Sequence, residues 1–231
     1  MTGGLRPEDW LDHETWVRDC FALLGEVRGK RVLDYGCGLG LASVVLARRG
    51  ARVLAFDRAP ASARAARALA AASGLEGRVR VAVMAAEALA CLNEVFDAVY
   101  GNAILHHVDL KAAAPELLRV LRPGGIAVFA EPLGENPLLE FARRRLPYPG
   151  KARDPFERPL RYEDLAALGR VIPLATVREY QFLSMIRRII QNARTRRILD
   201  ATDAWVLEHV PFLRRWCRYV VFVLRKPEVQ R

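Results

Sequence analysis

The chain has 231 residues, 52% of them hydrophobic, which suits one domain with a sizeable core, or one domain with a small extra lobe. No run is apolar enough to span a bilayer, and the start (Met1-Thr-Gly-Gly-Leu-Arg-Pro7) lacks the basic-then-apolar layout of a signal peptide, so a cytoplasmic protein is expected. The net charge of +10 lies entirely in the C-terminal part: residues 1–140 hold 16 basic and 17 acidic side chains, residues 141–231 hold 20 and 9. Cys20, Cys37, Cys91 and Cys217 stand far apart, with no Cys-x-x-Cys pair, so neither a disulfide framework nor a metal site is expected.

Residues 8–27 read as an amphipathic helix or two short ones, with Trp10, Leu11, Val17, Phe21 and Leu24 near one face. The stretch Arg31-Val-Leu-Asp-Tyr-Gly-Cys-Gly-Leu-Gly40 is a short strand running into Asp34, then into Gly36, Gly38 and Gly40 around Cys37, then into a helix from Leu41 to Arg49. Glycines at such a turn remove the Cβ atoms that would hold the backbone away from a ligand. A second strand, Arg52 to Phe56, ends at Asp57, where a doubly wound fold places the acid that grips ribose hydroxyls. There follow a helix from Ala61 to Ser73, a strand from Val79 to Val83, a short helix from Ala85 to Asn93 and a strand from Phe96 to Tyr100. A helix from Leu110 to Leu121 and the turn Pro123-Gly-Gly125 lead into a fifth strand, Ile126 to Ala130. This alternation predicts βαβ units and a parallel sheet with helices on both faces.

Beyond Glu131 the composition changes. Residues 131–160 hold six of the 13 prolines and the run Arg143-Arg-Arg145, with one helical stretch near Leu138 to Arg145. Such a connection is expected to be a lid or substrate loop. Regular pattern returns as a helix (Arg161 to Leu168), a strand (Thr176 to Leu183), one long or two short helices (Arg187 to His209) and a last strand (Arg218 to Leu224). The expected organisation is an N-terminal helical cap (1–27), a cofactor-binding core (28–132), a lid region (133–175) and a C-terminal completion of the sheet (176–231).

The glycine spacing separates two ligands. A dinucleotide fingerprint needs a third glycine or alanine where Leu41 stands, and Asp34 would repel a pyrophosphate. An acid there suits a ligand with an ammonium group, and S-adenosylmethionine has an amine, a sulfonium, a ribose diol and no phosphate. The pattern V-L-D-x-G-C-G-x-G with Asp57 ending the next strand resembles the class I S-adenosylmethionine-dependent methyltransferases. Phe96-Asp-Ala-Val-Tyr-Gly-Asn-Ala-Ile-Leu-His-His-Val108 and Leu117-Leu-Arg-Val-Leu-Arg-Pro-Gly-Gly-Ile-Ala-Val-Phe129 match that family's later motifs, so the resemblance covers about residues 28 to 132.

The resemblance implies a Rossmann-like seven-stranded mixed sheet, doubly wound, with the seventh strand antiparallel. It places the methionine part of S-adenosylmethionine on Asp34, the Gly36–Gly40 backbone and the Asn102 carbonyl, and the ribose on Asp57 with Arg58 beside it. Ala85 replaces the family's usual adenine-binding acid, which leaves Ala86 or Glu87 to serve instead. Cys37 is a small packing residue in such loops. Two residues stand out as bases: His107, with a structural hydrogen-bonding role as its alternative, and Glu131, with loop capping as its alternative. Trp10, Trp16 and Phe21 either line an acceptor pocket or pack a helix on the sheet.

Three functions compete: methylation of a small-molecule acceptor, with oxygen favoured; methylation of a lipid or isoprenoid at a membrane surface; and RNA methylation or nucleic-acid binding. The run Trp205-Val-Leu-Glu-His-Val-Pro-Phe-Leu-Arg-Arg-Trp-Cys-Arg218 mixes aromatics and arginines as interfacial helices do, which supports the second. Tyr100-Gly-Asn-Ala103 stands where base methylases have a Pro-Pro-Tyr box, so nucleic acid is not expected. The arginines are spread along several elements, so the expected partner is a soluble small molecule whose turnover ignores salt and lipid. Nothing in the pattern fixes an oligomeric state.

Overall fold

The computed structural model describes residues 6, 7, 9–145, 158–188 and 192–228. Its strands are β1 (Arg31–Tyr35), β2 (Arg52–Asp57), β3 (Val79–Val83), β4 (Phe96–Asn102), β5 (Leu121–Pro132), β6 (Leu174–Tyr180) and β7 (Tyr219–Arg225). They form one sheet in the order β3-β2-β1-β4-β5-β7-β6, parallel except for β7, which runs antiparallel to both its neighbours. This is the doubly wound, mixed, seven-stranded arrangement expected. The helices are α1 (Thr15–Leu24), α2 (Leu41–Arg48), α3 (Pro60–Ala72), α4 (Leu110–Val120), α5 (Pro137–Arg145), α6 (Tyr162–Val171) and α7 (Ala193–His209).

Strand periodicity divides the core. Val32 and Val53 face one way and pack with α1 and α2, whereas Leu33, Val99 and Phe129 face the other way toward α4 and α6. Chain order reverses at β1, which lies between β2 and β4. At such a switch point the flanking connections leave in opposite directions and open a crevice at the carboxyl ends of the strands. Among the described residues no helix is long and apolar enough to cross a membrane.

The start of the chain folds as two short pieces, a 3-10 turn (Trp10–Asp12) and α1. Trp16, Val17, Cys20, Phe21 and Leu24 are buried in the same cluster as β1 and β4. Phe21 meets Tyr100 with ring centroids 5.2 Å apart, and Trp16 stacks on Tyr219 at 3.9 Å. The packing alternative therefore describes these aromatic side chains. Part of the expected lid, residues 146–157, lies outside the described residues.

One expected element is absent. The segment from Ala85 to Asn93 is not a helix but a tight turn closed by an Ala85–Ala88 bridge, followed by irregular chain. Arg119 on α4 explains this: its guanidinium donates to the Leu89 and Cys91 carbonyls (2.9 and 2.7 Å) and to Asn93 Oδ1 (2.8 Å), while Glu116 accepts from the Leu89 N–H at 2.8 Å. Backbone groups that a helix would pair internally are taken by side chains of a neighbouring helix. Replacing Arg119 by Met should leave those carbonyls unpaired, cost about 2 kcal/mol in urea unfolding, and speed amide exchange in residues 86–94 more than elsewhere. Uniform exchange across the domain would contradict this origin.

Candidate cofactor and acceptor site

The glycine turn lies at the crevice. Gly36 has φ +72°, and a Cβ there would fall 2.5 Å from Ile104 Cγ1 in the loop after β4, so the side chain must be absent for the two loops to touch. Gly38, at φ +52°, has no atom within 4 Å of where a Cβ would lie, so its backbone faces open space. The Gly40 N–H closes the turn on the Cys37 carbonyl at 2.8 Å, and the Cys37 N–H donates to the Phe56 carbonyl at 2.7 Å. Cys37 packs against the core, and burial pushes its thiol up, away from the reactive thiolate.

Asp57 ties the turn to β2. Its carboxylate accepts from the Gly38 N–H (2.9 Å) and the Ala59 N–H (2.8 Å), which leaves a lone pair on each oxygen for a diol. Arg58, next to it, is exposed. Across the crevice the Ala86 carbonyl accepts from the Tyr35 hydroxyl at 3.1 Å, and Glu87 accepts from the Asp109 N–H at 3.1 Å, so both hold the loop wall in place.

Asp34 is buried beneath the turn and accepts from the Ser43 hydroxyl in the first turn of α2. Burial raises its pKa to about 6, partly offset by the Ser43 hydroxyl and N–H. Tyr100, its neighbour across the β1–β4 pairing, is buried as well, and burial pushes its phenol up. Trp16 Nε1 and Asn102 Oδ1 are buried with no hydrogen-bond partner among the described residues, while the Tyr100 hydroxyl meets the Trp10 side chain. Buried polar atoms of this kind are expensive unless a ligand or water meets them.

At the end of β5, Glu131 is fully buried, and this corrects its reading as an acceptor-facing base. Oε1 accepts from the Ile104 and Leu105 N–H groups at 2.9 and 2.8 Å, and Oε2 lies 2.7 Å from His106 Nδ1. The carboxylate caps the loop after β4. His106 thus makes a structural hydrogen bond of the kind expected of its neighbour; His107 is exposed, its ring 4.0 Å from that of His106. Sequence reading named His106 only as half of a pair and passed over Ser43. The sole sequence signal for Ser43 was a hydroxyl in the first turn after the glycines.

The residues present fit a cationic, phosphate-free ligand with a diol: two carboxylates at the strand ends, an open glycine backbone and an unpaired amide oxygen. Residues 33–129 match the family model of a methyltransferase domain. This stretch of the chain carries a methyltransferase domain. Outside this domain the likeness thins. The chain is 41% identical over 126 residues to a ubiquinone biosynthesis O-methyltransferase of Alkalilimnicola ehrlichii, covering 53% of this chain and 48% of that one. It is 42% identical over 117 residues to its namesake from Methylocella silvestris, covering 50% and 44%. The chain thus matches about half the length of these curated relatives. Two solved structures share the whole fold with a TM-score of 0.66: a putative sarcosine dimethylglycine methyltransferase from Galdieria sulphuraria (16% identity, 92% and 84% of the two chains) and geranyl diphosphate C-methyltransferase from Streptomyces coelicolor (18%, 90% and 76%).

The buried acid of the methyltransferase turn has a signed consequence. Because the folded pKa of Asp34, about 6, exceeds the ordinary carboxylate value, this group's contribution to stability is most favourable below about pH 4 and is lost as pH rises through 6. Asp34→Asn should therefore stabilise the ligand-free protein at pH 7.5 by up to about 3 kcal/mol, a gain that vanishes near pH 4. Parallel pH-dependence of unfolding for the two proteins would refute this.

Proposed function

We propose that the chain is an S-adenosylmethionine-dependent methyltransferase that methylates a hydroxyl of a small-molecule acceptor in the cytoplasm. What carries the reading is the Glu131–His106 pair at the carboxyl edge of the sheet that bears the glycine turn. The ubiquinone biosynthesis O-methyltransferases among the relatives support oxygen as the methylated atom.

When bound, S-adenosylmethionine supplies a methyl group on a positively charged sulfur, which leaves without acid assistance. The protein's share is positioning and proton removal. The Gly36–Gly40 backbone admits the methionine part, Asn102 Oδ1 accepts from its amine, and Asp34 below favours the positive charge. Asp57 accepts from the ribose hydroxyls, and the Ala86–Glu87 wall borders the adenine.

His106 is the base. A carboxylate accepts hydrogen bonds, so Glu131 fixes the proton on Nδ1 and leaves Nε2 as the ring's basic nitrogen. Nε2 takes the hydroxyl proton as the oxygen attacks, and exposed His107 alongside offers it a route to solvent. Glu131 acts as a positioning residue. The cofactor-binding core is residues 28–132, and residues 133–175 with the start of the chain complete the acceptor side.

His106→Ala should lower kcat by about 10²–10⁴-fold with S-adenosylhomocysteine affinity unchanged, while His107→Ala changes kcat less than about tenfold. Asp57→Ala should instead weaken S-adenosylhomocysteine binding by about 2–4 kcal/mol in calorimetry. Full turnover by the His106 variant would remove the base assignment, and unchanged affinity in the Asp57 variant the cofactor site.

A further inference from the structure

Residues 184–218, between β6 and β7, hold eight arginines, no lysine and three carboxylates. One of the three, Asp203, is buried and accepts from the Phe182, Leu183 and Ser184 N–H groups (3.0, 2.7 and 3.0 Å) and the Ser184 hydroxyl (2.6 Å). It anchors α7 by its inner face. The opposite face of α7 reads Arg194, Arg197, Ile198, Ala201, Trp205, Glu208 and His209, all exposed, with Glu208 its one acid. Ile198 and Trp205, two turns apart, stand 59% and 60% open to solvent.

The turn that follows, Pro211–Trp216, folds back on α7, with Arg214 Nε donating to the Leu207 carbonyl at 3.1 Å. It exposes Phe212 (66%), Arg215 and Trp216. Asn136 caps α5 through Oδ1, which accepts from the Leu138 and Leu139 N–H groups, while its Nδ2 donates to the Trp216 carbonyl at 2.7 Å; α5 exposes Leu138 and Phe141 just beyond. Large apolar side chains thus lie open on three adjoining elements, among arginines whose charge few carboxylates offset. Folding gathers what the sequence spreads along the chain.

We propose that this face docks on an anionic lipid bilayer, with Trp205, Phe212 and Trp216 entering the headgroup boundary and Arg194, Arg197 and Arg215 meeting lipid phosphates. Aromatics bordered by arginine are the composition of surface-seated helices, and the net positive charge selects an anionic surface over a neutral one. The inference stands apart from methyl transfer, because binding is read without cofactor or acceptor.

The test is flotation of the full chain with vesicles of phosphatidylglycerol and phosphatidylcholine, beside pure phosphatidylcholine, at 0.05 and 0.5 M salt. Binding to the anionic vesicles should exceed that to neutral ones at least about tenfold and fall in high salt. Trp205→Ser with Phe212→Ser, and separately Arg194→Gln with Arg197→Gln, should each weaken it about tenfold or more. Both variants should keep the parent Tm and S-adenosylhomocysteine affinity. Equal or absent binding to the two vesicles, or variants that bind like the parent, would overturn the proposal. So would a dimer lost on Trp205→Ser, or single-stranded nucleic acid bound more tightly than vesicles.

Discussion

The buried carboxylate of Glu131 holds the working edge of the sheet together. It lies at the end of β5, accepts two N–H groups of the loop after β4, and fixes the His106 ring. The loop it secures carries Ile104, whose side chain occupies the space a Cβ on Gly36 would need. The turn that begins at Gly36 then hands its Gly38 N–H to Asp57 at the end of β2. A line of contacts therefore runs from β5 through β4 and β1 to β2, and each link leaves the next in one position. Fixing the loops beforehand spares a ligand the cost of ordering them.

Along the same edge, polar groups are buried beyond what folding requires. Asp34 is paired with Ser43 but without a countercharge among the contacts that set its pKa, and Tyr100, Trp10 and Trp16 keep polar atoms away from water. An apolar core would be more stable with none of them. α1 keeps this region dry by laying Trp16, Phe21 and Leu24 on the sheet.

The two halves of the molecule divide the labour differently. Residues 31–132 build the sheet edge from short, hydrogen-bonded loops, whereas the described residues between β6 and β7 are tied down through Asp203 and Asn136. The matched methyltransferase domain ends at residue 129, and the solved neighbours share the fold of the remainder at low identity.

Sequence alone determined the alternation of strands and helices from β1 to β5 and the turn from Asp34 to Gly40 with Asp57 ending the next strand. These are local matters: side-chain periodicity, glycine φ angles and strand-end carboxylates act within a few residues. Tertiary structure decided what depends on distant partners. Arg119 removed the helix expected from Ala85, and Glu131, 25 residues away, selected His106 over His107. Hydrogen-bond partners distant in sequence set Glu131, which caps a loop, apart from Asp57, whose oxygens each keep a lone pair. The arginines and aromatics of the C-terminal part became one face only when α7 was anchored on its inner side, because a helix face is defined by what covers the opposite one.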